Sequence, residues 1–270
     1  MHHASGALQR LSKTVALALV LLKMLGYLDD LLEPASFTDY GPNGLQVPGR
    51  DDVRTVVTGV SAGAELFERA AALGADLVLV HHGLFWNGAP LALTPSSKRR
   101  LQLLFEHDMA LAAYHLPLDG HPEVGNNALI ADGLGCTERV PFALHKGAAI
   151  GVGARFDGDG IEPAELVARV RDLTGREPLA FLDGPERVRT LGIVSGAGAS
   201  YLGDAVAAGH DAFITGEPAE RVMAHAREEA IHFVAAGHYA TETFGVRRLG
   251  ELLAERFGVE HRFVDVPNPV

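Results

Sequence analysis

Three observations predict an α/β protein built from two similar lobes. Strand-like and helix-like runs alternate through the middle of the chain, the plan recurs at an offset of 135 residues, and polar side chains gather where strands should end. The 270 residues suffice for one large domain or two modest ones. "VRTVVTGV" (53–60) is β-rich, "AELFERAAALG" (64–74) has helical spacing closed by Gly74, and "DLVLV" (76–80) is β again. A strand–helix–strand unit of this kind implies a parallel pair with a right-handed crossover. "KRRLQLLFEHD" (98–108) then reads as a helix and "MALAAY" (109–114) as a strand.

The second half repeats the plan. Residues 54–82 overlay residues 189–217 without a gap, with nine identities in 29 positions. Alanine and glycine inflate that score, so the shared order of strand, Gly-containing turn, helix, Gly and strand is the stronger argument. A second pairing sets "AAYHLPLD" (112–119) on "AAGHYATE" (235–242), giving His115-x-x-x-Asp119 and His238-x-x-x-Glu242. Between the repeats lie "AIGVGARFDGDG", the helical "EPAELVARVRDLTG" and "PLAFLDGPERVRT"; after them come a helix over 243–258 and a strand over 260–266. The reading is therefore an N-terminal extension (1–23), a first α/β lobe (24–139) and a second (140–270), whose C-terminal part is free to pack back on the first. The sheets are expected to be mixed and mainly parallel, with a cleft between the lobes.

A hydrophobic share of 47 % and a charged share of 21 % are those of an ordinary globular protein. A net charge of −11 argues against a general nucleic-acid or anionic-membrane binder, which needs a basic face. Cys136 is the one cysteine, so a metal site must be built from His, Asp and Glu, and a reducing, cytoplasmic setting is expected. The apolar run Thr14–Leu22 is too short to span a bilayer, and no A-x-A cleavage pattern follows it. It is read as part of an extension ahead of a domain that begins near Met24.

In parallel α/β sheets, ligands collect beyond the carboxyl ends of strands. His81, His82, Asp119 and His238 all fall there, and Glu242 is reachable on the first turn of the next helix, with Thr241 as a candidate N-cap. Three imidazoles and two carboxylates form a set suited to two divalent cations. Adjacent histidines in a strand are expected to point apart and so to face different metals, with Glu242 bridging and Asp119 completing one sphere. Such metals acidify water enough to give hydroxide at neutral pH. Against this, an isolated His-His pair more often caps a strand end, and H-x-x-x-E pairs are common on helix surfaces. Patterning alone leaves both readings open.

"DYGPNGLQVPGR" (39–50), "LVHHGLFWNG" (79–88), "YHLPLDGHPEVGNNALIADGLG" (114–135), "TGE" (215–217) and "GHYATETFGV" (237–246) occur in that order. Together they resemble the Nif-three-like dinuclear metal-centre family, the type 2 homologues of GTP cyclohydrolase I, from about Met24 to the C-terminus. The resemblance implies metal ligation by His81, His82, Asp119, His238 and Glu242, two similar α/β lobes and a ring-shaped homohexamer. It suggests hydrolytic opening of the guanine ring of GTP at C8 with loss of formate. Longer members carry an inserted domain for which this chain is too short.

Other residues are candidates only. His115 is a ligand-orienting or proton-moving group or else a satisfied core histidine. Glu217, at the repeat position of His82, is a general base, a partner of a ligand, or a helix-start carboxylate before Pro218. His121 suits the surface, Asn126 and Asn127 suit bracing of the Asp119 loop, and Asn43 suits a turn. "SGAG" (195–198) suits phosphate weakly, and the trio Lys98, Arg99 and Arg100 suits either nucleotide phosphates or a solvated helix face. A mixed His/carboxylate set accepts zinc, iron, manganese or nickel. Two functions follow: a metal-dependent hydrolase of a nucleotide or phosphorylated small molecule, or a non-catalytic metal store, chaperone or regulatory scaffold.

Overall fold

The computed structural model describes residues 20–270. Most of the expected extension, including residues 14–19 of the apolar run, lies outside the described residues. Helix α1 (Val20–Leu32) buries Leu21, Met24, Leu25, Leu28 and Leu32, one face at helical spacing. That face opens at Leu21, ahead of the expected start near Met24. Full burial of Met24 and Leu28 contributes about 2 kcal/mol each.

Along the chain follow β1 (Gly44–Val47), β2 (Thr55–Ser61), α2 (Ala64–Ala72), β3 (Leu77–His82), α3 (Pro95–Glu106) and β4 (Ala110–Ala113). Next come two helices that hydrophobic patterning did not isolate, α4 (Leu116–Gly120) and α5 (Asn126–Leu134), and an antiparallel hairpin of β5 (Glu138–His145) and β6 (Ala148–Arg155). Then follow α6 (Pro163–Thr174), β7 (Leu179–Leu182), β8 (Thr190–Val194), α7 (Leu202–Ala207), β9 (Ala212–Thr215), α8 (Val222–Glu228) and β10 (His232–Ala235). The chain closes with α9 (His238–Thr241), α10 (Thr243–Phe257) and β11 (Glu260–Phe263). Among the described residues, no helix is long and apolar enough to cross a membrane.

The chain forms two compact α/β units. The first comprises, of the described residues, 20–34, 39–115 and 246–266. Its five-stranded sheet runs β1-β4-β3-β2-β11, antiparallel at β1/β4 and parallel at the other three pairings. Leu77, Val78, Leu79 and Val80 are fully buried, which explains the uninterrupted apolar run of β3: a central parallel strand is covered on both faces. The C-terminal strand β11 lies beside β2, and residues 246–266 belong to the first unit.

The second unit comprises residues 35–38, 116–245 and 267–270. Its six-stranded sheet runs β5-β6-β8-β9-β10-β7. Only β8/β9 and β9/β10 are parallel, so the expectation of mainly parallel pairing holds for the first sheet and not for the second. The hairpin before the repeat and the returning edge strand β7 supply the antiparallel pairings. Successive residues feed opposite cores. Ile193, Ile214 and Val234 pack with Ile130, Leu134 and Leu166, while Val194, Phe213 and Phe233 pack with Leu202 and Ala226.

The unit boundary falls at 115/116 instead of the expected 139/140. The reason is packing: α5 places Ala128, Ile130, Ala131 and Leu134 in the core of the second sheet, and Asn127 donates to the carbonyl of Ile150 at 2.8 Å. The same core neighbourhood partly buries Cys136 and pushes its thiol up to about 12, which removes it as a thiolate nucleophile.

The repeat is visible in detail. β2 and β8 begin at Thr55 and Thr190, and β3 and β9 at Leu77 and Ala212, each at the same offset. Asp76 Oδ2 accepts from the amides of Arg54 and Thr55 at 2.8 and 3.0 Å; Asp211 Oδ2 accepts from those of Arg189 and Thr190 at 2.8 and 2.9 Å. An aspartate before the second strand thus brackets the start of the first strand in both units.

Candidate metal centre

In the first unit, strand β3 delivers His81 and His82 at its carboxyl end. His81 is fully buried, and its Nδ1 lies 3.0 Å from the carbonyl oxygen of Tyr114. A carbonyl only accepts, so Nδ1 carries the proton and Nε2 of the neutral ring carries the lone pair, the arrangement a metal-binding histidine requires. His82 Nδ1 lies 3.0 Å from Ser61 Oγ, its register partner on β2.

The two rings do not diverge as strand alternation led us to expect. Their centroids are 4.7 Å apart at the carboxyl end of β3. The ring of His115 lies 4.9 Å from His81 and 5.6 Å from His82, and donor atoms of all three histidines fall within 4.8 Å of one another. This cluster could hold a metal ion.

His115 follows β4 and is held from behind. Its Nδ1 is 2.7 Å from Asp39 Oδ1, its amide donates to Asn43 Oδ1 at 2.8 Å, and Asn43 donates to Asp39 Oδ2 at 2.9 Å. Burial pushes the Asp39 carboxyl up, but the bond and charge of His115 and the bonds from Asn43 and Tyr40 outweigh it, so Asp39 lies below its ordinary value. Asn43 is therefore more than a turn residue. Asp39 was not legible beforehand, since it meets His115 across 76 residues of chain. The indole of Trp86 stands perpendicular to the His115 ring at 5.2 Å and 5.9 Å from that of His82.

In the second unit, α4 carries the buried Asp119. Its Oδ1 accepts from Asn126 Nδ2 at 2.8 Å and from Ser195 Oγ at 2.9 Å. Asn126 and Asn127 are fully buried braces: Asn126 Oδ1 accepts from the Gly245 amide, and Asn127 Oδ1 accepts from the Ser195 amide at 2.7 Å. Glu242 is also buried, with Oε2 3.1 Å from Nε2 of His238. Glu217 accepts from Nδ1 of His238, which assigns it to orienting that imidazole. Burial lowers the pKa of His238, but Glu242 and then Glu217 overcome this and raise it to about 9.

The 195–198 turn belongs to this cluster and is not a phosphate nest. The Ser195 amide serves Asn127, the Gly196 amide donates to Thr241 Oγ1 at 3.1 Å, and Ser195 Oγ serves Asp119. Gly196 has φ +60°, and a Cβ there would fall 2.2 Å from Glu242 Oε1. Only glycine lets this turn pass so close to the carboxylate. Thr241 is not an N-cap; it ends α9, donates within its own turn and receives Gly196. His121 Nδ1 accepts from the amides of Glu123 and Val124, which makes it a turn brace.

Comparison with known proteins shows which family the chain falls in. The family model described as Duf34/NIF3 (NGG1p interacting factor 3) matches residues 21–269. A Pseudomonas aeruginosa protein named GTP cyclohydrolase 1 type 2 homolog is 43 % identical over 253 residues, 94 % of this chain and 100 % of that protein. One of the same name from Escherichia coli K12 is 42 % identical over 90 % of this chain and 96 % of its own. Among solved structures, protein ybgI, described as of unknown function, superposes with a TM-score of 0.87 at 39 % identity, covering 92 % of this chain and 99 % of that one. TTHA1606 from Thermus thermophilus gives 0.84 at 39 %, covering 92 % and 98 %.

Proposed function

The chain belongs to the Duf34/NIF3 family, and from that premise we propose that it is a metal-dependent hydrolase. In this reading His81, His82, Asp119, His238 and Glu242 hold two divalent cations. The observation that carries the reading is the buried His81, whose Nδ1 is committed to a carbonyl and whose ring clusters with those of His82 and His115. A mixed imidazole and carboxylate set fits zinc, iron, manganese or nickel.

Bound divalent cations supply Lewis acidity and acidify water at the site. The protein supplies the rest. Asp39, held ionised, keeps the proton of His115 on Nδ1, so Nε2 is the atom available to take and return a proton. Glu217 holds Nδ1–H of His238 and presents Nε2 as a donor. Trp86 covers His82 and His115 and limits water at their outer side.

The relatives' name makes GTP the first substrate to test. Protein purified from its native host is assayed for metal by elemental analysis, then for formate release from GTP and turnover of a nucleotide and phosphoester panel. The reading expects about two equivalents of metal per chain and metal-dependent turnover. Tight metal with no turnover on any of these would move the protein to the storage or scaffold class. The same preparation tests the homohexameric ring by sedimentation, with a discrete six-chain species as the expected result.

A further inference from the structure

The basic trio Lys98, Arg99 and Arg100 divides in the structure. Arg99 pairs with Glu68 and Lys98 is exposed. Arg100, half-buried, makes no ion pair among the described residues. It lines a cavity of about 330 Å³ with Leu84, Phe85, Trp86, Leu93 and Leu101. That volume lies in the range of small-molecule sites, which combine apolar walls with a few polar groups that fix orientation. Thr94 and Ser97 also line it, but their hydroxyls are 2.9 Å apart and bond each other, which leaves Arg100 as the cavity's one charge among its lining residues.

Trp86 is shared. It forms part of the cavity wall and also contacts the rings of His82 and His115. We propose that this cavity binds the body of a small aromatic anion, with Arg100 taking its phosphate or carboxylate and Trp86 and Phe85 meeting its ring. A guanidinium matches either oxyanion with paired N–H donors, and indole and phenyl faces favour a planar body over an aliphatic one. The proposal rests on the hydrolase reading in one respect: a ligand against Trp86 is a ligand beside the metal-binding histidines, so Trp86 and Arg100 become specificity determinants of that reaction. Fully exposed Leu91 and exposed Leu93 beside the cavity offer a competing occupant, a second copy of this chain.

The test is calorimetric titration of the full-length protein with phenyl phosphate, benzoate and inorganic phosphate, before and after removal of metal by chelation. Trp86 is the sole tryptophan, so its fluorescence reports occupancy independently. Saturable binding of phenyl phosphate or benzoate is expected, at least tenfold tighter than inorganic phosphate and persisting after chelation; the preferred ion identifies the oxyanion. Arg100→Gln is expected to weaken binding at least tenfold. Ala89→Trp, on an exposed lining position, is expected to abolish it with metal content unchanged. Equal affinity for inorganic phosphate, or binding indifferent to both variants, overturns the proposal. So does absence of binding together with dissociation of oligomers in Leu91→Ser, which would give this face to a second copy. Binding that persists in protein inactive on every substrate would sustain the pocket while the hydrolase reading falls.

Discussion

Gly196→Ala is the substitution whose effect the geometry fixes most closely. A Cβ at this position stands 2.2 Å from Glu242 Oε1 and 3.2 Å from His238 Nε2. Return to ordinary contact at 3.4 Å requires the carboxylate to retreat by more than 1 Å, and Glu242 is buried with little room to do so. The backbone adds its own penalty, since φ is +60° and an L side chain there costs about 1–2 kcal/mol. Gly74→Ala separates the two effects: φ is +68° with nothing within 4 Å of the new Cβ. In denaturant unfolding of metal-free protein, Gly74→Ala should lose about 1–2 kcal/mol, the backbone penalty alone, and Gly196→Ala should lose more. Only Gly196→Ala should lose metal affinity, by roughly 10–100-fold, the usual cost of disturbing a ligand's support. Competition with a fluorescent chelator measures it. If Gly196→Ala holds metal as tightly as Gly74→Ala, Glu242 is not a ligand in the way argued here.

Glu217→Gln keeps a hydrogen-bond acceptor beside His238 Nδ1 but removes the charge, so metal should be retained with affinity reduced about tenfold; equilibrium dialysis reads this. Asp39→Asn should lower kcat and shift its pH profile while leaving metal content unchanged, because Asp39 acts through His115; restoration of the profile by Asp39→Glu would distinguish orientation from simple packing. Asp76→Ala and Asp211→Ala should each cost about 2 kcal/mol or more, the loss of charge-assisted bonds to two amides, and their unfolding midpoints should move by similar amounts. In metal-free protein, His238 has a folded pKa raised to about 9. Its contribution to stability is therefore complete below its unfolded value near 6.5 and is lost as pH rises through about 9, relative to His238→Gln. A flat difference between the two across that window would contradict the assigned contacts.

The duplicated strands were legible because each carries a run whose period and flanking glycines survive in both halves, and the offset linking Thr55 to Thr190 places both strand starts. The candidate ligands His81, His82, Asp119 and His238 were read as polar groups placed after apolar runs, and Glu242 from its spacing to His238. The support around them was not. Asp39 reaches His115, Ser195 reaches Asp119 and Gly196 makes room for Glu242, and each contact spans tens of residues that no local pattern connects. The unit boundary was misplaced for a related reason. Helix α5 opens with the adjacent Asn126 and Asn127, which local patterning does not mark as helical and which the structure shows bracing it, Asn127 bonding Ile150 and Ser195. Strand alternation predicts that the histidine pair diverges, whereas the two rings lie 4.7 Å apart.

Anomalous diffraction from crystals of metal-replete protein, at the absorption edge of the metal that elemental analysis finds, addresses the central claim. The account predicts two neighbouring peaks bounded by the imidazoles of His81, His82 and His238 and the carboxylates of Asp119 and Glu242. Peaks ligated by other side chains, or none at full metal loading, would contradict it.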